Sequence, residues 1–545
     1  YNTVDMSKRR FLQDFLPGYK SAVDAGCELV MTSFNTVDEI PATANKWLMD
    51  DILRKEWGFN GVIITDYAAI SELKAHGVAA DDAEAAKLAI NATVDIDMKT
   101  SCYANNLADL VARHEIDEAQ IDAACYRILT LKNKLGLFED PYYGCSVEKR
   151  DSVICSPEKI SAARKTANRS MVLLKNDDIL PLKRNKQRIA LIGPYADSLD
   201  IVGMWAVHAD HKHSITIKQA MENVLDNEYF TFTKGCDFLD DYSSLGEFGF
   251  IPAIANGKLT PEQAVIEHEN ALTLAKEADV VVLAMGEHML QSGESGSRTD
   301  ITLPEPQKQL LHEIKALDKK IVLVLFNGRP LALTDIIEDC DAVLEAWFPG
   351  TAGGLSICDC LFGDYNPSGR LTVSFPYHVG QEPLYYSQFA TGRPANGSTH
   401  SGRFVSRYLD CPNEALFPFG YGLSYHKAEY SNLTLNRTKI SKSADDSIQV
   451  SVTVTNTSET SGTETVQLYL RDLVGSVVRP ILELKDFKQI YLGAHETQKV
   501  TFTITEEMLR FYTKDYTYQS EPGNFKVFVG PNSAELLEAD FSLTI

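Results

Sequence analysis

Apolar and amphipathic segments alternate along the first 145 residues of the chain. Short apolar runs typical of strands cover residues 29–34, 61–66 and 94–98. Around them, apolar residues recur at helical spacing. Strands separated by helices indicate right-handed βαβ units and therefore a parallel sheet. The predicted helices cover residues 6–25, 44–56, 81–91, 105–114 and 117–135.

Three strands are too few for a complete parallel barrel. A closed (β/α)8 barrel takes about 250 residues, whereas an open three-stranded sheet would leave long unpaired edges. We therefore expect residues 1–145 to form the C-terminal part of a (β/α)8 TIM-like barrel. On this interpretation the N-terminal half of the barrel lies upstream of Tyr1.

A second α/β pattern covers residues 161–370, after a polar stretch at 146–160 that we interpret as an irregular linker. Apolar strands are predicted at residues 188–193, 280–286, 320–327 and 342–347, with helices such as 305–317 between them. This arrangement indicates an open, doubly wound α/β sandwich. Residues 239–260 lack a clear periodicity and are predicted to form an excursion near an active face.

The C-terminal part of the chain follows a different pattern. Residues 371–427 are rich in Pro, Gly, Tyr and Ser and are interpreted as a long ordered connection. Residues 428–545 lose the helical pattern and form short alternating runs separated by turn residues, which predicts a β-sandwich. The fold class is thus α/β and multidomain. The clearest alternating runs are 447–456, 466–470, 499–504 and 524–529.

Charge narrows the range of partners. The 545 residues carry a net charge of −23 at pH 7, which disfavours nucleic acid and anionic membranes because both bind basic patches. No apolar run approaches the roughly 20 residues of a membrane-spanning helix. A chain this acidic suits a neutral substrate.

Two carboxylate positions are candidates for chemistry. Asp66 ends the apolar run Val62-Ile63-Ile64, and the carboxyl end of a buried parallel strand is where α/β folds place catalytic groups. The alternative is that Asp66 caps the following helix. The loop 286–300 leaves another buried strand and carries Glu287 and Glu294, and its alternative interpretation is a solvated polar loop. Hydrolysis of a glycosidic bond uses two carboxyl groups, which lie about 5–5.5 Å apart where configuration is retained.

The motifs around both positions resemble those of glycoside hydrolase family 3, and of its periplasmic β-glucosidase branch, along essentially the whole chain. Their common order and spacing carry the resemblance rather than any single motif. They include Trp57-Gly58-Phe59-Asn60-Gly61 with Thr65-Asp66, Leu173-Leu174-Lys175-Asn176, Ser292-Gly293-Glu294 with Ser297-Arg298-Thr299-Asp300, Asn327-Gly328-Arg329-Pro330, Asn366-Pro367-Ser368-Gly369 and Phe419-Gly420-Tyr421-Gly422.

The resemblance implies a barrel, an α/β sandwich and a fibronectin type III-like domain. It implies that Asp66 is the nucleophile and Glu294 the general acid/base, with Glu287 as the alternative acid. Met31 and Phe34 fall at positions that line the glycone subsite. Tyr67 and Trp205 are expected to stack on the aglycone sugar, although Trp205 could instead be a core or interface aromatic.

The implied function is a retaining, exo-acting β-glucosidase that removes terminal β-D-glucosyl residues from oligosaccharides or glucosides. It requires no metal and no organic cofactor. The resemblance also implies a periplasmic or secreted protein, and leaves a homodimer open. A β-xylosidase or another β-glycosidase of the same family is an alternative, and a non-catalytic carbohydrate-binding protein is a second one.

Overall fold

A computed structural model describes Val4 and residues 6–206, 211–245, 258–395, 402–443 and 446–545. The chain divides into two compact units. The first consists of Tyr1–Ser152 with Phe511–Tyr518, and the second of Val153–Arg510 with Gln519–Ile545.

The first unit is built on a short parallel sheet. Strand β1 (Leu29–Met31) pairs in parallel with strand β2 (Val62–Ile64). Ile64 also forms a parallel bridge with Ile96, which gives the half-barrel sheet expected from the sequence. The predicted strand 94–98 is wrong in extent, because only this bridge forms there. The helical segments of the unit are Lys8–Arg10, Phe11–Phe15, Leu16–Asp24, Ala42–Ala44, Trp47–Glu56, Ala69–Ala75, Asp82–Asn91, Cys102–Ala112, Glu118–Lys134 and Val147–Val153.

An alanine-rich helix closes the core behind this sheet. Asp82–Asn91 begins at Asp81, whose side chain accepts a hydrogen bond from the Glu84 amide, as expected of a helix cap. Ala85 and Ala89 are fully buried in the same cluster as Ile63 of β2. Small side chains at these positions let the helix approach its neighbours closely.

A buried ion-pair network fixes the middle of the sheet. The Asp95 side chain is fully buried, and its Oδ2 lies 2.7 Å from Arg54 Nη2 while its Oδ1 lies 2.6 Å from Arg127 Nη2. Asp95 Oδ2 also accepts the backbone N–H of Ile63 at 2.8 Å. Because a side chain occupies this amide of β2, residues around Asp95 do not continue a regular strand.

We expect Asp95→Ala to destabilise the first unit by about 3–5 kcal/mol, since it would leave the charges of Arg54 and Arg127 buried without a partner. Asp51→Ala is the matched control: Asp51 pairs with Lys55 at the surface, and its loss should change stability by less than about 1 kcal/mol. Amide hydrogen exchange in the peptide that contains β2 measures the loss of stability in both variants. Equal protection in the two variants would contradict the prediction.

The first unit includes a segment distant in sequence. Gln13 Oε1 accepts the backbone N–H of Tyr512 at 3.0 Å, and Arg9 Nε donates to the carbonyl of Thr513 at 3.2 Å. The Arg9 guanidinium also lies 4.5 Å from the ring centre of Tyr516. Residues 511–518 therefore pack on the N-terminal helical segments, a contact that no local sequence pattern predicts.

The second unit contains a six-stranded sheet. Its strands are β3 (Val172–Asn176), β4 (Ile189–Ile192), β5 (Phe230–Thr233), β6 (Val280–Gly286), β7 (Lys320–Phe326) and β8 (Ala342–Glu345). They lie in the order β3-β8-β7-β6-β4-β5. All neighbouring strands are parallel except β3, which runs antiparallel to β8 at one edge. Helices pack on this sheet, and two large apolar clusters cover it, as expected of a doubly wound fold. The α-helices are Pro157–Ser170, Ile217–Glu222, Pro261–Glu277, Glu305–Lys315 and Gly353–Leu361.

The C-terminal part of the second unit is a β-sandwich of a three-stranded and a five-stranded sheet. Residues that alternate along the sequence, such as Val450 and Val452, are buried between the sheets. The smaller sheet contains Ala428–Leu435, Ser447–Asn456 and Thr497–Thr505, and the larger contains Lys439–Ser441, Leu537–Thr544, Gly523–Gly530, Gly462–Asp472 and Glu483–Leu492.

Residues 146–160 differ from the irregular linker predicted for them. Val147–Val153 is helical, and Pro157 begins the next helix with Ser156 as its cap. The predicted excursion 239–260 lies partly outside the described residues, at 246–257.

Candidate active site

Asp66 lies two residues beyond the carboxyl end of β2. The following helix, Ala69–Ala75, begins after Ala68 and has no side-chain cap. The Asp66 carboxylate instead accepts the backbone N–H of Tyr67, at 2.6 Å. Asp66 is therefore not the helix cap that the sequence left as an alternative, and its half-buried carboxylate sits at the end of a parallel strand.

Three further predicted site residues lie at the same edge of the first unit. Met31 ends β1 as the partner of Ile64, and its side chain is 46% exposed. Phe34 follows three residues later and is half-buried. Tyr67 is 54% exposed, and the Lys99 ammonium lies 5.4 Å from its ring centre. Two accessible apolar or aromatic side chains thus accompany the carboxylate.

In the second unit, the candidate acid follows β6. Gly286 ends the strand where a Cβ atom would lie 1.8 Å from the carbonyl oxygen of Phe326, so only glycine fits. The buried Gln307 side chain accepts the Gly286 amide and donates to the Gly286 carbonyl, both at 2.8 Å. The strand therefore ends at a fixed position, and the loop 287–300 starts there.

The two glutamates of this loop occupy different environments. Glu287 is fully buried, and its Oε1 lies 2.7 Å from Arg298 Nη1 and 3.0 Å from Arg329 Nε. Glu294 is half-buried and lies in a tight turn, which Gly296 closes by donating its amide to the carbonyl of Gly293 at 3.1 Å. Glu287 is thus bound within the protein, whereas Glu294 is partly accessible.

Trp205 follows Met204, whose side chain reaches the Glu294 turn. It follows β4, which is parallel to β6 in the sheet, so both loops leave the same edge. A Cβ atom on Gly293 would lie 3.6 Å from Cε of Met204, the residue before Trp205. Trp205 itself is 65% exposed. It is therefore not a core aromatic of this unit.

His288 supports the start of the loop from a buried position. Its Nδ1 accepts the amide of Leu290 at 3.2 Å, and its ring lies edge-on to Phe238 and Tyr242. Burial lowers the pKa of His288 to about 4, with a smaller opposing effect from Asp237. The neutral imidazole is therefore part of the folded loop.

This pKa makes the second unit sensitive to acid. The unfolded pKa is about 6.5, so stability from the neutral ring is complete above it and is lost as the pH falls towards 4, by about 3 kcal/mol. We expect His288→Asn, which keeps a cap acceptor, to reduce the loss in unfolding free energy between pH 7 and pH 4.5. Exposed His495→Asn is the control and should behave as wild type. An unchanged pH dependence in His288→Asn would contradict the prediction.

Sequence reasoning assigned no role to Arg298 or Arg329, although both lie in quoted motifs. Arg329 follows β7, the parallel neighbour of β6, and Glu287 follows β6 itself. Opposite charges within three residues of the ends of adjacent parallel strands are a sequence signal that could have predicted this contact.

The comparisons with known proteins agree with this architecture. Residues 1–131 match the glycosyl hydrolase family 3 N terminal domain, residues 171–425 the glycosyl hydrolase family 3 C-terminal domain, and residues 464–533 the fibronectin type III-like domain. These matches show that the protein belongs to the class of glycoside hydrolases. The chain belongs to glycosyl hydrolase family 3.

Among its relatives is the periplasmic β-glucosidase of Salmonella typhimurium, 40% identical over 100% of this chain and 71% of that protein. A β-xylosidase of Formosa agariphila is 34% identical over 97% of the chain and 71% of its own length. The crystal structure of a β-glucosidase from Listeria innocua in complex with glucose matches with a TM-score of 0.90 and 40% identity, covering 100% of this chain and 71% of that one. Within the described ranges, every helix is too short or too polar to cross a membrane.

Proposed function

We propose that this glycoside hydrolase is a retaining, exo-acting β-glucosidase that releases terminal β-D-glucosyl residues from oligosaccharides or glucosides. The observation that carries the proposal is Asp66, a strand-end carboxylate that caps no helix. It occurs in a chain that is 40% identical along its whole length to a periplasmic β-glucosidase. Identity to the β-xylosidase of Formosa agariphila is lower, at 34%.

In the proposed mechanism, ionised Asp66 attacks the anomeric carbon while Glu294 protonates the leaving oxygen. A covalent glucosyl–enzyme ester forms and the aglycone alcohol departs. Glu294, now ionised, takes a proton from water, which cleaves the ester and restores both carboxyl groups. Two inversions at the anomeric carbon give net retention.

Burial favours Glu294 over Glu287 as the acid. Glu287 is fully buried and lies within 3.0 Å of two arginine side chains. Its second oxygen accepts the amide of Gly328 at 3.3 Å. A carboxylate engaged on both oxygens cannot reach a leaving group. Glu294 is partly accessible at the crest of its turn.

The remaining site residues are assigned to sugar contacts. Met31 and Phe34 line the glycone subsite, and the exposed rings of Tyr67 and Trp205 stack on the aglycone sugar, since aromatic faces suit the apolar face of a pyranose. The name of the Salmonella relative supports a periplasmic or secreted protein. A homodimer is compatible with the proposal.

Hydrolysis of p-nitrophenyl β-glucoside and β-xyloside by the full-length protein tests the function. We expect kcat/KM to favour the glucoside by at least about tenfold, because the 6-hydroxymethyl group adds contacts to the transition state. NMR should show the β-anomer as first product. A preference for the xyloside would indicate a β-xylosidase, and sugar binding without hydrolysis of either substrate would indicate a non-catalytic protein.

A further inference from the structure

The turn that carries Glu294 is tied at both ends to one side chain. An Arg329 guanidinium nitrogen, Nη2, donates hydrogen bonds to the carbonyls of Gln291 and Gly296. These two residues flank the turn on either side of Glu294. A single arginine therefore fixes the distance between the two ends of the turn.

Arg329 is itself oriented by Glu287. Its Nε lies 3.0 Å from Glu287 Oε1, and Glu287 has no exposed surface. The backbone of the same segment contributes as well, because the Gly328 amide donates to Glu287 Oε2 at 3.3 Å. A Cβ atom on Gly328 would lie 2.3 Å from Ser292 Oγ, so the start of the turn packs directly on the backbone at Gly328.

Glu287 is also fixed on its own side. Its amide donates to the carbonyl of Phe326 at 2.8 Å, and its carbonyl accepts the hydroxyl of fully buried Tyr195 at 2.6 Å. Glu287 is thus fixed at the end of β6, Glu287 orients Arg329, and Arg329 holds both ends of the turn.

We propose that Glu287 and Arg329 form a positioning pair that holds the Glu294 carboxyl where it can protonate the leaving oxygen. This inference rests on the proposed role of Glu294 as the acid. Neither residue touches the substrate. Their contribution is to the geometry of proton transfer, in which a displacement of about 1 Å can cost about 100-fold in rate.

Arg298 provides a matched comparison within the same cluster. It also contacts Glu287 Oε1, at 2.7 Å, but its other bond goes to the carbonyl of Thr302, beyond the turn. Arg329→Lys removes the two-carbonyl contact, while Arg298→Lys leaves it in place. Glu287→Gln keeps the size of the side chain and removes the charge that orients Arg329.

The test compares phenyl β-glucoside, whose leaving group needs a proton, with dinitrophenyl β-glucoside, which leaves without one. We expect Arg329→Lys and Glu287→Gln to lower kcat on the phenyl glucoside about 10- to 100-fold, with little change in KM. The rate of the initial burst of dinitrophenolate, which reports the first step alone, should also change little. Arg298→Lys should stay near wild type on both. Thermal unfolding shows whether each variant is folded. A kinetic loss in a variant that unfolds at the wild-type temperature then reports displacement of the Glu294 carboxyl.

An equal loss in the phenyl glucoside kcat and in the dinitrophenolate burst rate of Arg329→Lys and Glu287→Gln would indicate general structural damage and overturn the proposal. A selective loss of the same size in Arg298→Lys would overturn it too, since that variant keeps the tie across the turn. Glu294→Gln separates the two hypotheses. Selective loss there without selective loss in Arg329→Lys overturns the positioning pair alone, whereas no selective loss in Glu294→Gln overturns the proposed acid and the pair with it.

Discussion

Asp66→Ala in the full-length protein is expected to lower kcat/KM for p-nitrophenyl β-glucoside by at least about 10³-fold. The carboxylate is the group proposed to bond to the anomeric carbon, and alanine provides no other nucleophile. Azide added to this variant should take its place and attack from the same face. The product would then be α-glucosyl azide, which NMR identifies.

Asp81→Ala is the matched control, because Asp81 caps the helix Asp82–Asn91 through a bond from the Glu84 amide at 2.9 Å. Loss of a helix cap costs about 1 kcal/mol of stability, and activity should be retained. If Asp66→Ala behaved in the same way, with lower stability and near-normal turnover, Asp66 would have a structural role only.

The sequence was sufficient to predict an element where one hydrophobic pattern extends along its whole length. Val280–Gly286 is a continuous apolar run and forms a strand over those same residues, because both of its faces are buried. Ser447–Asn456 alternates between apolar and polar residues and also forms a strand over the predicted range, because one face lies in the sandwich core.

Edge strands and side-chain contacts explain the elements that sequence reasoning missed. Phe230–Thr233 lies at the edge of its sheet, and only its last residue is buried, so its apolar signal is weak. The predicted strand around Asp95 is reduced to a bridge since the Asp95 carboxylate accepts the Ile63 amide. Such competition depends on residues that are 32 positions apart.

The candidate site, too, could be predicted from the sequence only in part. Strand ends identified Asp66 and the Glu294 loop, because the backbone direction of a parallel sheet determines which edge carries the side chains. The contacts that distinguish Glu287 from Glu294 depend on Arg329, from another strand. Sequence spacing alone therefore left both glutamates as candidates for the acid, and only the structure shows that Glu287 is fully buried and Glu294 partly accessible.

Glu294→Ala is expected to abolish turnover of phenyl β-glucoside and to spare the first step on dinitrophenyl β-glucoside. The good leaving group needs no proton, so the glucosyl–enzyme ester forms and then accumulates, because no base activates water. Azide needs no base and should restore turnover of the dinitrophenyl glucoside by about 10- to 100-fold, within the range of a general acid/base contribution.

The configuration of the azide product makes this test specific. In Glu294→Ala, azide attacks the ester from the face opposite Asp66 and gives β-glucosyl azide, the reverse of the product expected from Asp66→Ala. Glu287→Ala is the matched comparison on the same loop. It should show weaker azide rescue than Glu294→Ala, because it displaces the Glu294 carboxyl but does not remove it, and the Glu287 carboxylate is itself engaged by Arg298 and Arg329. Rescue of Glu287→Ala with β-glucosyl azide as product, and none of Glu294→Ala, would transfer the acid/base role to Glu287.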